Sequence, residues 1–79
     1  MATSIYLSLL KTVSGYVDET KAREVIGRQL AKCGATEDTL EAENFKKIAH
    51  MVAGAAGLYV ADPGRRRDLA KRIAVLAGV

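Results

Sequence analysis

Apolar side chains recur along this chain at steps of three and four, and no stretch alternates with period two. In the first segment Ile5, Tyr6, Leu9, Leu10, Val13, Tyr16 and Val17 trace one face of a helix, with Thr3 or Ser4 in place to cap its start. Leu7 falls off that stripe. Gly15 and Asp18 weaken the pattern before a second helix begins, predicted from about Glu19 to Cys33. Its stripe is Ala22, Val25, Ile26, Gln29 or Leu30, and Cys33, with Lys21, Arg23, Glu24, Arg28 and Lys32 facing water. A single bent helix over both segments is the alternative. Gly34 stands where a left-handed residue usually ends a helix.

The next segment, "ATEDTLEAEN", turns the chain. Thr36 or Thr39 can cap, and Glu37, Asp38, Glu41 and Glu43 place negative charge at a helix start, where the backbone dipole favours it. A third helix then carries Phe45, Ile48, Ala49, Val52, Ala55, Ala56, Tyr59 and Val60. Ala53, Gly54 and Gly57 make its other side small, which predicts a central helix approached closely from more than one direction. Asp62 followed by Pro63 is a well-formed start for a fourth helix, whose apolar face is Leu69, Ala70, Ile73, Leu76 and Ala77. The expected fold is all-α, a compact bundle of four short helices with short loops, one domain over residues 1–79.

Composition agrees with that reading. Hydrophobic residues make up 49% and charged residues 27%, as in a chain that buries a core rather than a disordered one. Charge is unevenly placed. Residues 1–61 hold seven basic and seven acidic side chains, whereas residues 62–79 hold five basic against two acidic, so the whole net charge of +3 lies in the last segment. Arg65, Arg66 and Arg67 open the fourth helix, at the end where the dipole disfavours cations. With Lys71 and Arg72 they form a basic patch, a candidate surface for an acidic protein, a nucleic acid or an anionic lipid. The three arginines are expected to be exposed and dispensable to the fold, with Asp68 pairing forward to Arg72 and back to Arg65. Glu37, Asp38, Glu41 and Glu43 form a complementary acidic patch. The two can meet within the bundle or between copies.

Catalytic chemistry is hard to find. Cys33 is expected to be a buried, unreactive thiol, since a helix C-terminus does not favour a thiolate. His50 has no companions for a metal site, and the acidic run lacks the spacing and central glycine of a calcium loop. Neither cofactor nor small-molecule substrate is expected, and the chain is expected to be no enzyme. A helix-turn-helix reading of residues 23–51 fails on sign, because its recognition helix would open with carboxylates. Residues 26–35, "IGRQLAKCGA", are faintly similar to the opening helix of archaeal histones, but Pro63–Gly64 breaks the chain where a histone's long helix would continue. No family is assigned.

One cysteine fits a reducing compartment, the start of the chain does not resemble a signal peptide, and the apolar run from Ile48 to Ala61 falls short of the roughly 20 residues that span a bilayer. Together these give a cytoplasmic protein that works by protein–protein contact, as an adaptor or regulator, with nucleic-acid binding through the start of the fourth helix as the runner-up.

Overall fold

The structure, a computed structural model, describes residues 1–78. Four helices follow one another: α1 (Ser4–Ser14), α2 (Glu19–Lys32), α3 (Ala42–Gly57) and α4 (Pro63–Ala77). Among the described residues there is no strand. The helices pack as a ring, α1 on α2, α2 on α3, α3 on α4 and α4 back on α1. The bundle measures 32 × 26 × 20 Å.

Local chemistry sets most of the boundaries. Thr3 Oγ1 accepts the Tyr6 amide at 3.2 Å, capping α1. Chain direction then changes at Tyr16 and Val17, whose amides both donate to the Val13 carbonyl. Asp18 accepts from the amides of Thr20 and Lys21 and opens α2, so the first two segments are separate helices. Asp62 Oδ1 takes the Gly64 amide at 2.9 Å and Pro63 starts α4. Before α3 the cap differs from the expected threonine. Thr36 and Thr39 close a turn on each other, and Glu41 becomes the cap, its amide donating to Asn44 Oδ1 at 2.7 Å.

One continuous core draws on all four helices, with Leu9, Val13, Ile26, Phe45, Val52, Leu69 and Ile73 essentially closed to solvent. Leu40, in the turn before α3, is equally buried and pins that acidic loop to the bundle. Burying a side chain of this kind contributes about 1.5–3 kcal/mol.

Three expectations are corrected. Helix α3 ends at Gly57, short of Tyr59 and Val60, because the chain tightens there: the Tyr59 and Val60 amides donate to the carbonyls of Ala56 and Gly57. Val60 still reaches the core, while Tyr59 lies half-exposed under the Lys21 ammonium, 4.8 Å from its ring centre. Cys33 is exposed rather than buried, its Sγ 3.3 Å from the Leu30 carbonyl. It stands one residue past α2, where Gly34 turns the chain at φ +75° and sends Ala35, not Cys33, into the core. Finally, α3 is the central helix expected, with the most extensive contacts in the ring, but its outward side is open rather than closely approached. Gly54 is exposed, and a Cβ placed on it would meet nothing within 4 Å.

Candidate interaction surface

At the start of α4 three consecutive arginines meet three different environments. Arg66 lays its aliphatic stem across Gly57, where a glycine Cβ would come within 2.9 Å of the arginine Cγ. That approach lets the guanidinium reach back over the end of α3. Its Nε donates to the carbonyls of Gly57 (3.1 Å) and Val60 (3.2 Å), and Nη2 donates to Val60 (3.0 Å). The last carbonyls of a helix lack partners within the helix and carry its partial negative charge, so a cation there satisfies both needs. Arg65 performs the same service for α1. Its Nη2 donates to the Gly15 carbonyl at 3.1 Å, and the guanidinium carbon lies 5.3 Å from the centre of the Tyr16 ring. Arg67 makes no hydrogen bond or ion pair among the described residues.

The arginines are therefore exposed, as expected, and two of them are bonded to backbone carbonyls of other parts of the bundle. They close the C-terminal ends of α1 and α3, which offsets the cost of cations at the start of α4. The expected back-pairing of Arg65 with Asp68 is replaced by this contact. Asp68 instead accepts from the Tyr16 hydroxyl and, at 3.2 Å, from Arg72 Nε. The Tyr16 hydrogen bond, then the Arg72 guanidinium, hold the Asp68 carboxyl below its ordinary value. The same hydroxyl bond raises the Tyr16 phenol above its own. Lys71, like Arg67, has no partner among the described residues.

The acidic patch lies at the other end of the bundle. Glu37 offers its carbonyl to the Thr3 amide at 2.9 Å, beside the start of α1, and Asp38 is 3.2 Å from the Met1 amine. Glu41 and Glu43 begin α3. The arginines stand instead against Gly15 and Gly57, the far ends of α1 and α3. An eleven-residue helix such as α1 is about 16 Å long, so the two patches do not meet within one molecule.

Two of the hollows along α4 border its first turn. On the α1 side Lys11, Gly15, Tyr16, Arg65, Asp68 and Arg72 border an open concavity of about 700 Å³ whose charges are largely paired to one another. On the α3 side a trough of about 560 Å³ runs between Ala49, His50, Ala53 and Gly54 of α3 and Pro63, Arg66, Arg67, Ala70 and Ala74 of α4. Ala70 belongs to this trough and is exposed, where the sequence pattern placed it in the core. Small side chains at 53 and 54 signalled a smooth side of α3. Nothing in the pattern said that α4 would line the same trough with alanines. Among the described residues no group of three His, Cys, Asp or Glu side chains could hold a metal, and no helix is long and apolar enough to cross a membrane.

Set beside protein-family models, curated proteins and solved structures, the chain matches none.

Proposed function

We propose that this is a non-enzymatic helical interaction domain that binds an acidic protein surface through the exposed basic face of α4. The observation that carries the reading is the pair Arg67 and Lys71. Both are exposed cations without an internal partner among the described residues, on a helix whose other basic side chains are held in place by backbone or carboxylate oxygens. Immobilised neighbours keep the local potential positive while the two free side chains reach outward. Arginine's planar fork suits carboxylate pairs, and desolvated contacts of this kind act as binding hot spots.

Nucleic-acid binding finds less support. With Arg65 and Arg66 on carbonyls and Arg72 on Asp68, two free cations remain, too few for the many phosphate contacts that duplex affinity requires. The opposite placement of the acidic and basic ends favours one secondary reading, a head-to-tail contact between copies, which would propagate rather than close.

Titration of the protein with poly-glutamate and with random-sequence duplex DNA, each at low and high salt, tests the assignment, with light scattering in parallel. Expected are poly-glutamate binding that Arg67→Glu weakens, and duplex binding that is weaker at every salt concentration. A duplex affinity with a steep salt slope would move the assignment to nucleic acid. Salt-sensitive growth of the particle mass without any added ligand would move it to self-association.

A further inference from the structure

The trough between α3 and α4 is unusual for the outside of a small bundle. Its lining is mostly alanines, a glycine and a proline, with His50, Arg66 and Arg67 beside them. At Gly54 there is open space in the direction a side chain would take. Along α4 the trough extends from Pro63 to Ala74, twelve residues or about 18 Å of helix. That length suits about three turns of an α-helix laid into it, and small residues on the receiving face allow interaxial distances near the lower end of about 8–10 Å.

We infer that this trough is a docking site for an acidic amphipathic helix of another protein, about three turns long, with leucine-sized side chains on the face that enters it. The inference rests on the interaction-domain reading above and gives that reading a location. Charge complementarity sets the sign of the partner. His50, Arg66 and Arg67 are the only ionisable side chains bordering the trough among the described residues, and no carboxylate borders it. Arg66 is fixed at one end by its bonds to Gly57 and Val60, so it presents a stationary positive charge. Arg67 is free to close over an incoming carboxylate. Leucines at i, i+3, i+4 and i+7 would fill the hollow beside Ala53 and Gly54, with acidic residues alongside to meet the two arginines.

A second copy of this chain does not supply such a helix. Its acidic segment is folded around Leu40, which is fully buried in its own core. The large apolar side chains exposed on its helices are Leu7, flanked by Ser4, Ser8 and Lys11, and Val75, flanked by Lys71 and Arg72, with no carboxylate one turn away.

The probe is a synthetic acidic amphipathic peptide of about twelve residues, leucine at the spacing above and glutamate between. It is titrated into isotopically labelled protein and followed by amide chemical shifts. A scrambled peptide of the same composition and a lysine-for-glutamate version serve as comparisons. Expected are shifts at Ala49, Ala53, Gly54, Ala70 and Ala74 with the acidic amphipathic peptide, and a loss of affinity of about tenfold or more when Gly54→Leu fills the hollow. An added Cβ at Gly54 meets nothing within 4 Å beyond its own helix backbone, and a thermal melt of the variant verifies its fold; Ala70→Gln, at an exposed position, is the second blocking variant. If the scrambled peptide binds equally well and neither variant matters, the trough is not the site, while the acidic-partner reading survives. If no acidic peptide binds, both fail. Preference for the lysine version overturns the assigned charge. Shifts at the same amides that grow with protein concentration alone would make the occupant a second copy and overturn the assignment to another protein.

Discussion

Helix α4 meets its two neighbours in opposite ways. Against α1 it is tied by polar contacts at the rim: Arg65 on the Gly15 carbonyl, Tyr16 on Asp68, and Arg72 on that same carboxylate. Against α3 it is held by one polar clamp, Arg66 over Gly57, above which alanines and Gly54 leave a trough. The first seam pairs most of its own charges. The second carries cations and apolar surface with nothing among the described residues laid across them. Self-satisfied charge is a mark of structure, and unsatisfied charge beside a hollow is a mark of binding. Three successive arginines divide on this view into two that hold the bundle and one that is free, and sequence position alone does not separate them.

The contrast can be broken most forcefully from beneath. Leu69 is fully buried in the core that all four helices share. Leu69→Ala is expected to cost about 2–5 kcal/mol, read from chemical denaturation, and to loosen α4 from both neighbours together. Loss of one seam with the other intact would show that they do not share a core.

A milder change addresses the α1 seam alone. Because the folded Asp68 carboxyl is held below its ordinary value of about 3.9, its contribution is present above that value and is lost as pH falls through the lower, folded one. The Tyr16 phenol is raised, so its share is present below about 10 and lost as pH rises through the folded value. Melting temperature should therefore fall more steeply with acidification in the native protein than in Asp68→Asn. Parallel curves would mean that the Tyr16–Asp68–Arg72 contact contributes nothing to stability.

On the α3 seam, Gly54→Leu should leave thermal stability unchanged or raise it. A glycine inside a helix costs about 1 kcal/mol relative to alanine, and no atom stands within 4 Å of the new Cβ. A large drop would return Gly54 to the close-packed role that its sequence context suggested.

That misplacement shows where the sequence was legible and where it was not. The helix starts at Thr3, Asp18 and Asp62–Pro63, the turn at Gly34 and the buried stripes rest on neighbours within four residues, and their chemistry can be recognised from type and spacing. Gly54 and Gly57 are the same residue on the same helix, three positions apart. What distinguishes them is a side chain from α4 that crosses one and not the other. Arg65 and Arg66 likewise find acceptors in backbone carbonyls, atoms every residue possesses, one of them fifty positions away in the chain. Composition carries no trace of such partners. Cys33 was misjudged for a related reason: it has the spacing of the α2 stripe, but the chain has already begun to turn when it reaches that position. The acidic and basic patches were read as complementary from charge alone, and their separation to opposite ends follows from helix direction, which the pattern left open.

The account stands or falls on the difference between Arg66 and Arg67. Thermal unfolding of Arg66→Gln and Arg67→Gln, measured side by side under one set of conditions, tests it most directly. Glutamine keeps polarity and removes the reach and charge, so Arg66→Gln leaves the Gly57 and Val60 carbonyls without their cation. Its expected cost is about 1–2 kcal/mol, reduced from the buried-group figure because the side chain is exposed. That corresponds to a fall in Tm of about 4–16 °C for a domain of this size. Arg67→Gln is expected to remain within about 0.5 kcal/mol of the native protein. Equal Tm values for the two variants, or the larger loss at Arg67, would contradict the division of the arginines into those that hold the bundle and the one left to bind.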